Sequence, residues 1–557
     1  MRIQTFTVVI LWAFLGVISA KADNLKTAIA SAHPLATEAG FEIIAKDGNV
    51  FDAAVAVSAA LAVVEPAGSG LGGGGYWLLH RAKDRLETLI DGREKAPLAA
   101  HKAMFLGKSG KVIPKLSLDG ALAAAIPGLP AGLVHLSEKY GRLPLAESLA
   151  PAIRYAQNGF AITERHRRML TSRANVLKKD RHTAGIFLAN GGVPKPFAIL
   201  KQPDLANTLR QLAESGRDGF YGGDVADKLL EGVRKAGGIW NQQDLDGYQV
   251  VERKPIKGSY QGISITSAPP SSSGGIVLLE TLNILSGFDL VKTDEITRKH
   301  LITEAMRRAY HDRALYLGDA DFIDIPVQRL LSLDYAAGLR STIRPDEALP
   351  STFFSGDMSE QNQGTQTTHF SIIDEDGSRV AATLSINAAF GAGFVPEGTG
   401  VLLNNEMDDF ASAEGAMNAY GLVGGAANSI APGKRMLSSM TPTFLEAPDR
   451  IAVLGTPGGS RIISMVLLGI LDFSKGNKPD SWVSIPRFHH QFMPDVIEYE
   501  KAALSQGDIT KLTALGHHLK EVKRSYGDMQ AVQLDKHTKK LTASSDPRGE
   551  GKAKVSP

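Results

Sequence analysis

Gln366-Thr367-Thr368-His369-Phe370-Ser371-Ile372-Ile373-Asp374 runs into Glu375-Asp376-Gly377-Ser378 and then Arg379-Val380-Ala381-Ala382-Thr383-Leu384-Ser385-Ile386-Asn387. Two runs rich in β-branched and apolar residues flank an Asp-Gly pair, the pattern of a β-hairpin. A two-residue turn at Asp376-Gly377 sets Ile386 opposite Thr367; a three-residue loop shifts the register by one and brings Ser385 or Asn387 there instead. Either way the second strand ends beside the start of the first, so Ser385 and Asn387 lie near Thr367. Immediately upstream, about 344–366, the chain is polar and without apolar periodicity, from Arg344-Pro345-Asp346-Glu347 through Gly364. It reads as an exposed, flexible linker. A tether running straight into a sheet is a sensible place for a chain cut, between Gln366 and Thr367.

Such a cut would change the chemistry of Thr367. A threonine hydroxyl is a weak nucleophile until a base removes its proton. An α-amine on the same residue, with a pKa of about 7.7–8.0, is such a base, and only a chain-terminal threonine has one. Activation therefore requires breaking the Gln366–Thr367 amide, which the Thr367 hydroxyl could itself attack. Taken by itself, a Thr at this position is also what a strand start calls for.

The 557 residues are 43% hydrophobic and 22% charged, with no biased tract, ordinary for a globular protein. Of the formal charge of +2, Arg2 and Lys21 in the first 22 residues supply both units, so nothing steers the chain toward nucleic acid or an anionic membrane. The absence of Cys excludes thiolate nucleophiles, Cys-based zinc sites and disulfides. Residues 1–22 read as a signal peptide: Arg2, an apolar run over Val8–Ile18, and an A-x-A site at Ala20-Lys21-Ala22. That run is short for a membrane span, and no second long hydrophobic segment follows. No Asn-x-Ser/Thr sequon occurs. A periplasmic or secreted protein, off the membrane once the signal is removed, is expected.

Asp52–Val64 is apolar nearly all round and stops at Glu65-Pro66, so it predicts a buried helix. A Gly-dense loop, Gly68–Gly75, and a strand at Tyr76–His80 follow. The loop comes after a helix rather than between strand and helix, which fails the dinucleotide fingerprint and points to close backbone packing. Further helices are predicted at Pro144–Gln157, Gln202–Glu214, Gly223–Lys235 and Asp294–Leu317.

Several ordered blocks remain. They are Asp47-Gly48-Asn49 with Asp52-Ala53-Ala54; Glu65-Pro66 with the Gly-rich loop; Asp91-Gly92-Arg93-Glu94-Lys95-Ala96-Pro97; and Thr367-Thr368-His369. Further on stand Leu403-Asn404-Asn405-Glu406-Met407-Asp408-Asp409-Phe410, Pro432-Gly433-Lys434-Arg435, Leu437-Ser438-Ser439-Met440-Thr441-Pro442 and Pro457-Gly458-Gly459-Ser460-Arg461. Pro486-Arg487-Phe488-His489-His490-Gln491 and Ser545-Asp546-Pro547-Arg548 close the set. From about Ala28 to Arg548 the chain resembles a γ-glutamyltranspeptidase, one of the N-terminal-nucleophile hydrolases.

The resemblance implies an α+β, four-layer αββα sandwich built from two autoproteolytic fragments that stay together: a large subunit, 23–366, and a small subunit, 367–557. It implies Thr367 as nucleophile, Ser385 as the hydroxyl that bonds its amine (the family commonly has Thr there), and Gly458 and Gly459 as the oxyanion hole. For the donor, Arg93 with Ser438 and Ser439 would take the α-carboxylate; Asp409, Glu406 and Asn387 would take the α-ammonium. Glu406 stands where some relatives have Gln. Tyr420 resembles a lid-loop aromatic. The implied substrates are glutathione and other γ-glutamyl compounds, with water, an amino acid or a dipeptide as acceptor. No cofactor or metal is implied, and the paired His489-His490 lacks carboxylates at metal-ligand spacing. Two alternatives stay open: a glutaryl or cephalosporin acylase of the same superfamily, whose substrates lack the ammonium that Asp409 would serve, and an uncleaved, inactive binding homologue.

Overall fold

The computed structural model describes residues 25–355, 367–411, 418, 422 and 424–556. The expected signal at 1–22, the chain just before the cut including Gln366, and Tyr420 lie outside the described residues.

The hairpin forms between strands Thr368–Asp374 and Arg379–Ser385, paired from Arg379↔Ile373 to Leu384↔Thr368. The connection is a three-residue loop, Glu375-Asp376-Gly377, closed by Asp374 N donating to Ser378 O at 3.0 Å. Gly377 takes the positive φ, 98°, that this loop type places on its last residue. Asp374 Oδ1 accepts from the amides of Asp376, Gly377 and Ser378 at 2.9–3.1 Å. Carried on by one residue, this register sets Ser385 opposite Thr367, so of the candidates left open by sequence Ser385 is selected.

Side chains then alternate. Phe370 and Ile372 pack under helices, and Ile373 packs between two sheets. Thr367 is on the inter-sheet side with His369, Ser371 and Ile373. Thr368 faces the opposite way, its Oγ1 donating to Glu65 Oε2 at 2.5 Å.

The hairpin sits near the middle of a seven-stranded sheet ordered Lys552–Val555, Thr27–Ser31, Thr368–Asp374, Arg379–Ser385, Gly74–Arg81, Leu86–Gly92, Val251–Arg253. A six-stranded sheet runs Leu541–Ser545, Gln530–Asp535, Arg450–Gly455, Thr443–Glu446, Ile263–Ser267, Ile256–Tyr260. Residues before and after position 366 contribute to both. Between the sheets lie Ala28, Tyr76, Leu78, Ala381, Phe444, Val453 and Val532. The outer face of the first sheet (Ile29, Trp77, Ile90, Phe370) packs under helices Pro34–Ala45, Val50–Val64 and Leu129–Tyr140. That of the second (Ile265, Leu445, Leu454, Ala531) packs under Gly274–Leu285, Glu295–Tyr316 and Ile462–Phe473. This is the four-layer αββα sandwich. No helix among the described residues is long and apolar enough to cross a membrane.

The predicted helices form at Val50–Val64, Leu145–Asn158, Pro203–Ser215, Gly223–Lys235 and Glu295–Tyr316. Every residue of Val50–Val64 is buried, and Asn49 and Asp52 cap its start reciprocally. The linker expectation needs correction at its near end. Ala348 N donates to Leu515 O at 2.7 Å, and buried Ser351 bonds Arg307, Asp495 and Phe492. The chain is therefore docked at Ala348 and Ser351, held there by polar contacts that leave no apolar period to read.

The Gly-dense loop packs backbone on backbone. A Cβ on Gly73 would lie 2.1 Å from Ser385 O, far inside contact distance. Gly73→Ala is expected to cost about 1–3 kcal/mol through overpacking. Thermal melting should register a fall of a few degrees, and fragment appearance on a denaturing gel should slow, because the displaced residue is the one opposite Thr367.

Candidate active site

Where the two sheets meet at the start of the Thr368–Asp374 strand, one pocket is lined by Arg93, Arg313, Thr367, Ser385, Asn387, Glu406, Asp409, Ser438, Ser439 and Gly459. They come from several separate parts of the chain. Arg93 follows the strand Leu86–Gly92, and Ser385 ends its strand. Asn387 sits just beyond at φ +69°, its amide donating to Ser385 Oγ at 2.7 Å and its Nδ2 to Asn405 O at 2.9 Å. Glu406 and Asp409 bound a single 3-10 turn.

Gly459 opens the short turn leading into helix Ile462–Phe473, with Gly458 just before it. Their φ values, +58° and +148°, are ones side chains disfavour. A Cβ on Gly458 would meet Met465 Cε at 2.5 Å. Two successive glycines thus present bare backbone amides at a helix start, where donors lack intrahelical partners. The motif Pro486–Gln491 braces this loop. Ser460 Oγ donates to Gln491 Oε1 at 2.6 Å, which also lies 2.8 Å from His489 Nε2. Tyr310 OH donates to Ser460 O at 2.5 Å. Burial lowers the His489 pKa to about 3, so the ring is neutral in its structural role.

The charges are unevenly shared. Arg93, fully buried, pairs with Glu406 at 2.7 Å, Asp409 at 2.5 Å and Glu94 at 3.4 Å. Burial opposes the Arg93 charge, but the three carboxylates outweigh it and hold its pKa well above the usual value. Burial pushes Glu94 up to about 7 and Glu406 well above the ordinary carboxylate range, with Arg93 pulling against both. The groups that the resemblance assigns to opposite ends of a donor are here paired with each other. Three acids around one guanidinium form a site that an incoming ammonium would balance.

Sequence reasoning missed Arg313, and for a physical reason. Helix Glu295–Tyr316 carries His300, Glu304, Arg307, Arg308, Asp312 and Arg313 buried alongside its apolar residues, so no polar face marks it out. The useful signal was the density of charge on so long a helix. The same helix brings His300 and Glu304 to His517. There Glu304 is held by Arg307 at 3.1 Å and Arg308 at 2.7 Å, and His300 and His517 bond one another at 2.8 Å. His490 reaches a carboxylate, Asp495, at 3.1 Å, one the sequence spacing does not single out.

The gamma-glutamyltranspeptidase family model matches residues 36–556. The chain belongs to this family. It is 44% identical over 482 residues to the glutathione hydrolase proenzyme of Pseudomonas sp. (strain A14), covering 86% of this chain and 84% of that one. It is 39% identical over 525 residues to the glutathione hydrolase proenzyme of Escherichia coli (strain K12), covering 93% and 90%. Among solved structures it resembles a cephalosporin acylase from Bacillus halodurans with a TM-score of 0.84 and 27% identity, over 95% of this chain and 96% of that one. For a gamma-glutamyltranspeptidase, the pocket joins an N-terminal-nucleophile candidate, a Gly-Gly amide pair and an Arg-carboxylate cluster in one place.

Proposed function

We propose that this chain is an autoprocessed γ-glutamyl hydrolase and transferase acting on glutathione and related donors. The observation that carries this is the grouping of Arg93, Glu406 and Asp409 in the pocket of Thr367 and Gly459. Thr367 Oγ first attacks the Gln366 carbonyl, moving the acyl group from nitrogen to oxygen and freeing the Thr367 amine. Water then hydrolyses that ester, releasing the Gln366 carboxylate and restoring the hydroxyl, so that fragments 23–366 and 367–557 remain one sandwich as a heterodimer. Thr367 Oγ then attacks the γ-carbonyl of a donor while its own α-amine takes the proton. The Gly458 and Gly459 amides stabilise the oxyanion, a contribution of about 3–4 kcal/mol per donor in comparable sites. The amine product leaves carrying that proton, and a γ-glutamyl-Thr367 ester remains. Water or the amine of an amino acid or peptide then resolves the ester. Ser385, opposite Thr367, orients the amine; Ser438 and Ser439 add hydroxyls for the donor carboxylate. Residues 1–22 export the protein, to the periplasm or beyond.

The likeness to a cephalosporin acylase favours glutaryl amides as a second reading. Glu406 and Asp409 in the pocket of the nucleophile oppose it, because a glutaryl group would bring a carboxylate and no ammonium for them to meet. Purified protein is expected to release p-nitroaniline from γ-glutamyl-p-nitroanilide, faster with glycylglycine if transfer competes with hydrolysis, and to prefer it to glutaryl-p-nitroanilide. Preference for the glutaryl amide would establish the acylase; a single uncleaved, inactive chain would establish a binding homologue.

A further inference from the structure

Arg313 has a setting unlike that of Arg93. It lies on helix Glu295–Tyr316, is 5% exposed, and lines the pocket with Thr367, Ser385 and Gly459. Its Nε donates to Ser273 Oγ at 3.0 Å and its Nη2 to Ser439 Oγ at 3.4 Å. Ser273 Oγ in turn donates to Ser438 O at 2.7 Å. The guanidinium is thus braced against the Ser438-Ser439 loop by neutral hydroxyls. Among the described residues, no carboxylate comes within ion-pair distance of it. Burial lowers its pKa only to about 10, so it stays charged at neutral pH.

A buried cation with no acid in direct contact is costly, and the Asp409 charge acts on Arg313 only from beyond ion-pair distance. Such a cost persists in a binding pocket where an anionic ligand supplies the missing charge. Both Nη atoms of Arg93, meanwhile, are taken up by Glu406 and Asp409. A carboxylate approaching Arg93 alone would meet the field of three acids.

We propose that Arg313 is a second anion-binding residue of this pocket, holding the donor α-carboxylate jointly with Arg93 and the Ser438-Ser439 hydroxyls. The proposal rests on the γ-glutamyl reading. It makes donor recognition an alternation of charge: acids around Arg93 for the ammonium, and Arg313 behind Ser439 for the carboxylate. Arg313 is a specificity-determining residue and takes no part in bond breaking.

The test compares γ-glutamyl-p-nitroanilide with 4-aminobutyryl-p-nitroanilide, which keeps the ammonium and acyl chain but lacks the carboxylate. In processed protein, Arg313→Gln is expected to reduce the ratio of kcat/KM between these donors about 30-fold, the worth of a charge-assisted hydrogen bond, mainly through KM. Arg313→Lys, which keeps the charge, should restore part of that ratio and serves if the Gln variant does not fold. A ratio equal to that of wild type in both variants, with both donors slowed alike, would overturn the proposal and leave Arg313 a brace for the serine loop. If wild-type protein turns over only glutaryl amides, the γ-glutamyl reading has failed separately. Calorimetric affinities for L-glutamate and 4-aminobutyrate then decide this one, since an Arg313→Gln variant with the wild-type affinity ratio would also overturn it.

Discussion

Protein carrying Thr367→Ala is expected to run as one full-length chain on a denaturing gel and to lose γ-glutamyl turnover by about 10^6-fold, the scale on which removing a nucleophile acts elsewhere. Two losses coincide. Without Oγ nothing attacks the Gln366 carbonyl, and without the cut the nitrogen at 367 remains an amide that cannot accept a proton. Thr367→Ser keeps the hydroxyl and should still process and turn over. The informative control is Thr368→Ala. Its hydroxyl is one residue away but points to the other face of the sheet, onto Glu65 at 2.5 Å. It should still be cut. Mass analysis of the mature small fragment would show a new N-terminus at 367. Cleavage of Thr367→Ala at the wild-type rate would mean another group makes the cut.

The hairpin shows how far the sequence could be read. The period-2 runs on either side of Asp376-Gly377 are visible in the residues, and so is the return of Ser385 to the neighbourhood of Thr367. The register was not, because the loop's conformation depends on Asp374 gathering three amides with its side chain, which an Asp in a strand does not announce. Val50–Val64 was legible because an apolar stretch ending at Glu65-Pro66 has few other fates. The docking of Ala348 and Ser351 and the role of Arg313 were not, since both depend on polar groups burying against partners on separate elements, up to 167 residues away. Pairing of Arg93 with Glu406 and Asp409 belongs to the same class: a charge's partner is a fact of three dimensions, and a side chain's type states only what it could pair with.

Asp409→Ala is expected to lower kcat/KM for γ-glutamyl-p-nitroanilide by about 10^2–10^3-fold, corresponding to ~3–4 kcal/mol, the lower part of what breaking a buried charge pair costs. Asp409 Oδ2 lies 2.5 Å from Arg93 Nη2 and Oδ1 accepts from Asn418 Nδ2 at 3.2 Å, so the carboxylate is oriented before a donor arrives. Its removal takes away one of the charges that an ammonium would meet and loosens Arg93. Glutaryl-p-nitroanilide, which brings no ammonium, should lose far less. The residual activity should also acquire a pH signature. Burial raises the Glu406 pKa, and the Asp409 charge adds to the rise. With Asp409 gone, Glu406 ionises at lower pH than in wild type and becomes the remaining acid for the ammonium. A carboxyl carries its charge above its pKa, so KM of the Asp409→Ala variant should fall as pH rises through the Glu406 titration and level off once that group is ionised. Adding Glu406→Gln should remove the part of the profile that belongs to Glu406; any dependence that remains would follow Glu94, which burial pushes up to about 7 and which faces the same guanidinium from 3.4 Å. Equal losses on γ-glutamyl and glutaryl donors would show instead that Asp409 serves only to hold Arg93, and that the ammonium is met elsewhere in the pocket.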